Sequence, residues 1–348
     1  MSRKRFFAAS NTERGFVSYF AENFRERADR CYIIKGGPGT GKSRLMQEMG
    51  TAFEAVGGDV EYYYCSSDPS SLDGLYVTLD GGSVAVLDGT APHAEDIVRP
   101  GTVDNILDLG RFWDARILRE RRGEIDLFGR KKSKAYAAAY RALSAYGSLR
   151  RTADALVEEC TDADAIAEET AKLALNFPKE KLLLTPTSAV GMRGRVSFDT
   201  YRENARLSLS VADSRGYGVS YLYFDRLIAA CGGGRVSPHP IMQGRYCGIL
   251  AGGISVTETV ITDTGDKVID SSEFVDRSAY LTVKSRVERL KLLAEGALDE
   301  ADIAFREAGE AHMNIEEIFI SAMDFAAKEE YSRDLCAKIA RGDLYVPE

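Results

Sequence analysis

The chain has 348 residues, 45% of them hydrophobic and 28% charged, and a formal net charge of −8. This length has room for two domains, each able to bury its own core. The acidic balance argues against nucleic acid as the main partner, and no apolar stretch approaches the ~20 residues of a membrane span.

The first residues, Met1-Ser2-Arg3-Lys4-Arg5, are basic but lead into no apolar signal core, so a cytoplasmic protein without a membrane partner is expected. Six cysteines, at positions 31, 65, 160, 231, 247 and 336, form no C-x-x-C pair and read as reduced thiols.

In chain order, Cys31-Tyr32-Ile33-Ile34 is a short apolar strand. It runs into Gly36-Gly37-Pro38-Gly39-Thr40-Gly41-Lys42-Ser43, which fits the phosphate-binding pattern G-x-x-x-x-G-K-[S/T]. Arg44-Leu45-Met46-Gln47-Glu48-Met49 then opens a helix. Strand, glycine loop and helix are the context that gives the pattern meaning. The glycines let backbone N–H groups wrap phosphate oxygens at a helix N-terminus. Lys42 is expected on the β- and γ-phosphates of a nucleoside triphosphate, and the Ser43 hydroxyl on Mg²⁺.

Gly57-Gly58 stops the helix, and Asp59 to Cys65 reads as a second strand. A polar turn, Ser66-Ser67-Asp68-Pro69-Ser70-Ser71-Leu72-Asp73-Gly74, separates it from a third, Ser83 to Asp88. Asp88 ends that buried strand, where a P-loop enzyme keeps the acid that holds Mg²⁺. The next residue is Gly89 rather than the glutamate of motor-type ATPases, which favours a slower switch or a transferase. His93 follows on the same loop, as a candidate to orient water or sense the γ-phosphate. Asp68 lies where ligands meet an open α/β sheet and is a candidate base or metal ligand, with Asp73 second to it. Ordinary turn and capping roles compete for His93, Asp68 and Asp73.

From about 102 to 175 the chain reads as helical. Arg111, Arg116, Arg119, Arg121, Arg122 and Arg130 are either a lid over the phosphates or, with Glu120, Glu124 and Asp126 among them, a solvated helix face. A break near Gly147 suggests an antiparallel helical hairpin, and Pro178 and Pro186 bracket a linker.

Beyond that linker the pattern repeats in weaker form. Arg193-Gly194-Arg195-Val196-Ser197-Phe198 echoes Arg14-Gly15-Phe16-Val17-Ser18-Tyr19. Leu207 to Val211 stands for the P-loop strand, Gly253 to Glu258 for the strand ending at Asp88, and Val283 to Phe325 for the helical region. The loop between, Ala212-Asp213-Ser214-Arg215-Gly216-Tyr217-Gly218-Val219-Ser220, has no Gly-Lys-Ser. The expected architecture is α/β, a P-loop NTPase fold with a parallel sheet flanked by helices. It is duplicated in tandem, with helical hairpin extensions: residues 1–178 as the competent domain and 179–348 as the degenerate one.

The segments Ile34 to Ser43, Tyr64 to Asp73 and Asp88 to His93 together resemble a family of bacterial proteins from spore-forming and related Gram-positive organisms. These are described only as predicted P-loop ATPases of two tandem P-loop halves. The resemblance is specific over the first hundred residues and fainter beyond, and in that family the second half can keep its own P-loop. It implies ATP binding and hydrolysis, and it favours functional roles for Asp68 and His93. The expectation is Mg²⁺-dependent ATP binding and hydrolysis at one site, with ATP preferred because no Asn-Lys-x-Asp guanine-reading motif is present. A small-molecule kinase with an unknown acceptor, or an ATP-gated module binding a protein partner, are the alternatives.

Overall fold

The computed structural model describes residues 3–90, 96–259 and 267–343. β1 (Lys4–Phe7) leads into a hairpin of β2 (Ala9–Thr12) and β3 (Gly15–Ser18), and then into β4 (Arg30–Lys35). The four central residues of β4 are buried, as a strand covered on both faces requires. Helix α1 (Lys42–Ala55) buries Leu45, Met46, Met49 and Phe53 along one stripe, the 3.6-residue period of a helix lying on a sheet. β5 (Asp59–Tyr64), β6 (Leu72–Leu79), β7 (Gly82–Asp88) and β8 (Asp104–Asp108) complete a six-stranded sheet in the order β1-β5-β6-β7-β4-β8. β4 lies between β7 and β8 and parallel to both, so the ends of β4 and β7 share one sheet edge.

The expectation of a parallel sheet needs correction. The sheet is mixed, because β6 runs antiparallel to both β5 and β7. Leu72-Asp73-Gly74, read from sequence as the end of a polar turn, instead begin β6. Its first six residues are all buried, so it lacks the alternation that marks a half-exposed strand. Asp80 and Gly81 turn the chain back into β7.

Between Pro178 and Pro186 the expected linker contains β9 (Leu182–Leu184). A hairpin of β10 (Ser188–Gly191) and β11 (Gly194–Ser197) follows, then α5 (Thr200–Glu203), β12 (Leu207–Ala212) and α6 (Ser220–Cys231). β13 (Gly234–Pro238), β14 (Tyr246–Ala251), β15 (Ile254–Glu258) and β16 (Lys267–Asp270) complete a second six-stranded sheet. Its order, β9-β13-β14-β15-β12-β16, matches the first strand for strand, with the same parallel and antiparallel senses. Each sheet has a register shift at the same place, after Tyr63 in β5 and after Ser237 in β13.

Helices connect the sheets. α2 (Ala115–Glu120) is short; α3 (Arg122–Glu158) runs unbroken for 37 residues, about 55 Å. The expected break at Gly147 does not occur. A Cβ there would lie 2.4 Å from Cγ of Glu13, at the tip of the β2–β3 hairpin, so this glycine clears space for a neighbour. α7 (Arg277–Ser321) carries the matching position, Gly309, where a Cβ would lie 2.9 Å from the Met192 sulfur at the tip of the β10–β11 hairpin. α3 does not fold back on itself as a hairpin. It pairs antiparallel with α7 along a seam of Ala139, Leu143, Ala294, Ala301 and Ala304, with Tyr136 and Tyr140 edge-on to Phe305. The small residues let the helix axes approach closely.

The helix after each long helix crosses over. α4 (Ala163–Ala174) places Ile166 in the second sheet's core with Phe224, Leu227 and Val236. α8 (Phe325–Arg341) places Leu335 and Ile339 in the first sheet's core with Leu45, Met49 and Val86. A buried ion cluster adds to the tie: Glu61 of β5 pairs with Arg27 and with Arg235 of β13. All six cysteines are free. Among the described residues no helix is long and apolar enough to cross a membrane.

Candidate functional site

The glycine-rich loop spans residues 36–41, between the end of β4 and the start of α1. Gly39 (φ +69°) and Gly41 (φ +80°) take left-handed conformations that few side chains tolerate, and they fold the loop back over the helix start. Gly41 is the N-cap of α1 and supplies no side-chain cap. α4, α7 and α8 differ, each capped by an aspartate: Asp162, Asp276 and Asp324. The first N–H groups of α1 therefore have no side-chain acceptor at the cap, the arrangement that suits an anion.

Lys42 donates from Nζ to the carbonyl oxygens of Gly37 (2.8 Å) and Gly36 (3.2 Å) and lies 3.6 Å from Asp88 Oδ2. Asp88 ends β7 beside β4. Its Oδ1 accepts from the Thr90 N–H at 2.9 Å and the Thr90 hydroxyl at 2.5 Å. Burial raises the Asp88 pKa; Lys42 opposes that shift and the nearby Asp73 carboxylate adds to it. The Ser43 hydroxyl accepts from the Leu72 N–H at 2.9 Å, pinning the start of β6, and with it buried Asp73, beside the loop. β6 thus delivers a second carboxylate to the site.

These groups line a cavity of about 580 Å³, within the size range of small-molecule sites. Asp68 also lines it. One Asp68 oxygen accepts from the Ser70 N–H (3.1 Å) and hydroxyl (2.7 Å), and lies 3.5 Å from Nε of Arg193 on the β10–β11 hairpin. A turn role and a site position therefore coincide there. His93 lies outside the described residues. Of the arginine-rich segment, Arg116, Arg121 and Arg122 pair on the surface with Asp114, Glu124 and Asp126, and none of its arginines lines the cavity. A glutamate after Asp88 has no room: a Cβ at Gly89 would lie 2.4 Å from Ile33 Cγ2.

Sequence reasoning missed the opposite wall. Lys132 and Tyr136 of α3, His312 and Glu316 of α7, Met192, and the single tryptophan, Trp113, complete the cavity. The end of α7 presses on the loop: Cβ atoms at Gly37 and Gly39 would meet Phe319 and the Glu316 carbonyl, each at 2.8 Å. Lys328 of α8, almost wholly buried, reaches Gly41 from behind. The indole nitrogen of Trp113 is buried with no hydrogen-bond partner. The antiparallel α3–α7 pairing brings Lys132, Tyr136, His312 and Glu316 to the loop, and no local motif marks them.

The corresponding loop of the second sheet, 213–219, closes on itself. Gly216 (φ +66°) and Gly218 (φ +88°) reproduce the two left-handed turns. Val219 stands where Lys42 stands, and Ser220 where Ser43 stands, its hydroxyl donating to Glu258 at the end of β15 (2.7 Å). The Asp213 carboxylate accepts from the N–H groups of Tyr217 (2.9 Å) and Gly218. An internal anion thus occupies this loop's donors.

No family model matches this chain, and neither does any curated protein or solved structure.

An Mg²⁺-bound triphosphate suits the residues present. The orphaned indole N–H, the open α1 N-terminus and Lys42 are donors. Ser43, Asp88 and Asp73 carry the hard oxygen atoms that such an ion prefers. Among the described residues no three His, Cys, Asp or Glu side chains gather as a metal cage. Mg²⁺ does not need one, since it keeps waters and phosphate oxygens as most of its ligands.

Proposed function

We propose that the chain is a P-loop nucleoside triphosphatase with one competent site, built from two copies of one α/β unit. The observation that carries the reading is the contrast between two loops of like backbone, one lined by Lys42 beside Asp88 and the other filled by Asp213. Duplication is supported by the identical strand orders and by equal connections after β5 and β13. In the first, Cys65 N–H bonds the Ser71 carbonyl at 2.9 Å; in the second, His239 N–H bonds the Arg245 carbonyl at 2.8 Å. The resemblance to tandem P-loop ATPases points the same way.

In this reading Lys42 leaves the carbonyls of Gly36 and Gly37 to meet the β- and γ-phosphates. The N–H groups at the start of α1 hold the same oxygens. Ser43 and Asp88 hold Mg²⁺, which when bound neutralises charge on the transferring phosphoryl group. With Gly89 in place of a glutamate, water activation is weak and turnover slow. Slow turnover, together with α7 resting on the loop, favours a nucleotide-set switch over a motor.

Trp113 packs against Gly37, so its fluorescence should report occupancy when the full chain is titrated with ATP and Mg²⁺. Saturable quenching or enhancement, lost in Lys42→Ala, with slow phosphate release, is the expected result. Equal ATP affinity in wild type and Lys42→Ala would sink the assignment.

A further inference from the structure

Lys132 lines the same cavity as Lys42. It faces the cavity from α3, half-buried, and among the described residues pairs with no carboxylate; its Nζ lies 3.2 Å from His312 Nδ1 on α7. Burial lowers the Lys132 pKa; Cys65 opposes that shift and the positive charge of Lys42 across the cavity adds to it. His312 is pushed down to about 4 by burial, then by Lys132 and Lys42, with Asp68 opposing. The imidazole is therefore neutral near pH 7, accepts from Lys132 through Nδ1, and keeps its proton on Nε2. The side chains of Lys42, Lys132 and His312 thus line one cavity. The carboxylates that share its lining are Asp68, Asp73, Asp88 and Glu316. Asp68 is engaged by Arg193 and Ser70, and Asp88 by Lys42 and Thr90.

We propose that Lys132 and His312 form a second phosphate-reading element. They take the terminal phosphate of a nucleoside triphosphate whose inner phosphates sit in the 36–43 loop, and so distinguish triphosphate from diphosphate. This rests on the nucleotide reading of the loop. The chemistry is that of a charge-assisted contact made from the wall opposite Lys42, reinforced by a fixed imidazole donor. Its consequence is mechanical. Lys132 belongs to the first half and His312 to the second, so a terminal phosphate clamps α3 to α7 at the end where α7 rests on the loop. Hydrolysis removes the clamp.

The test measures Trp113 fluorescence on the full chain with Mg²⁺ and either ATP or ADP, for wild type, Lys132→Met, Lys132→Arg and His312→Ala. Wild type should prefer ATP. Lys132→Met should lose about tenfold to hundredfold in ATP affinity while ADP affinity stays as in wild type. Lys132→Arg should keep most of the preference, and His312→Ala should lose part of it. Equal loss for ATP and ADP in Lys132→Met, or no loss for either, overturns the proposal, as does a wild type that binds both alike. Should Lys132→Met fail to fold, His312→Ala decides: an undiminished ATP preference there overturns it too. If wild type binds neither nucleotide, the loop assignment itself falls and this element with it. If Lys42→Ala abolishes both while Lys132→Met abolishes neither, the loop reading survives and only the second element fails.

Discussion

Loop 36–43 and loop 213–220 each join a buried parallel strand to a helix, and each turns on a pair of left-handed glycines. In the first, a lysine rests on the loop's own carbonyls and the helix start has no side-chain cap. In the second, a valine replaces the lysine and an aspartate accepts the loop's N–H groups. A nest of N–H donors needs an anion. A loop that carries its own carboxylate has met that need and has little to gain from phosphate. Loops of like backbone can thus differ in charge, because backbone geometry and charge are set by different residues.

The largest expected effect tests whether the halves are one cooperative body. Burial alone would raise the Glu61 pKa, but Arg235 and Arg27 hold it down to about 2. Glu61→Gln strands two arginines at the junction and should cost about 3–5 kcal/mol in denaturant unfolding. A single, merely shifted transition supports one body, whereas two separated transitions break that view.

Next comes the loop contrast itself. Lys42→Ala should weaken ATP binding by roughly a hundredfold, about 3 kcal/mol. Val219→Ala, at the equivalent position, should leave it unchanged. Comparable losses from both, read by fluorescence titration, would mean that the second loop also binds.

His239 sharpens the comparison through pH. It stands in the second sheet where Cys65 stands in the first, and its Nδ1 accepts from the N–H groups of Ile241 (3.1 Å) and Met242 (2.9 Å). Burial, then the charges of Arg195, Arg245 and Arg150, push its pKa down to about 3. The unfolded chain takes up this proton below about 6.5 while the folded chain does not. The contribution is therefore complete above pH 6.5 and is lost as pH falls toward 3, by about 2 kcal/mol at pH 5. His239→Gln should unfold with a correspondingly smaller loss between pH 7 and pH 5; equal losses would show that the imidazole is not buried neutral.

The smallest effect separates the paired mid-helix glycines. Gly147→Ala forces aside Glu13, which is held by Arg151 and the Gln243 N–H, and should cost about 1–2 kcal/mol. At Gly309 the obstacle is flexible Met192, and a helix-propensity gain of about 1 kcal/mol offsets it, so Gly309→Ala should melt close to wild type.

Much of the site's near wall was legible. The Gly-Lys-Ser signature and the apolar run ending at Asp88 are local patterns that residues enforce on their own neighbours. β6 was not legible, because a strand buried on both faces carries no alternation and its Asp73-Gly74 imitates a turn. Gly147 misled in the opposite way: it is a breaker by propensity, yet it is kept within a helix by a hairpin tip that needs the space. Asp68, a candidate from sequence, lines the cavity, and its turn and its ion pair with Arg193 also account for its place there.

By itself the sequence determined the loop for which we propose an anion. Glycines in a strand–loop–helix context, one lysine and one acid are short-range features that survive any tertiary arrangement. Tertiary structure alone decided which side chains face that loop. α3 and α7 meet over residues far apart in the chain, and the helices beyond them cross to the opposite sheets. Lys132, His312 and Trp113 therefore reach the loop only through long-range packing, which no spacing within the sequence records.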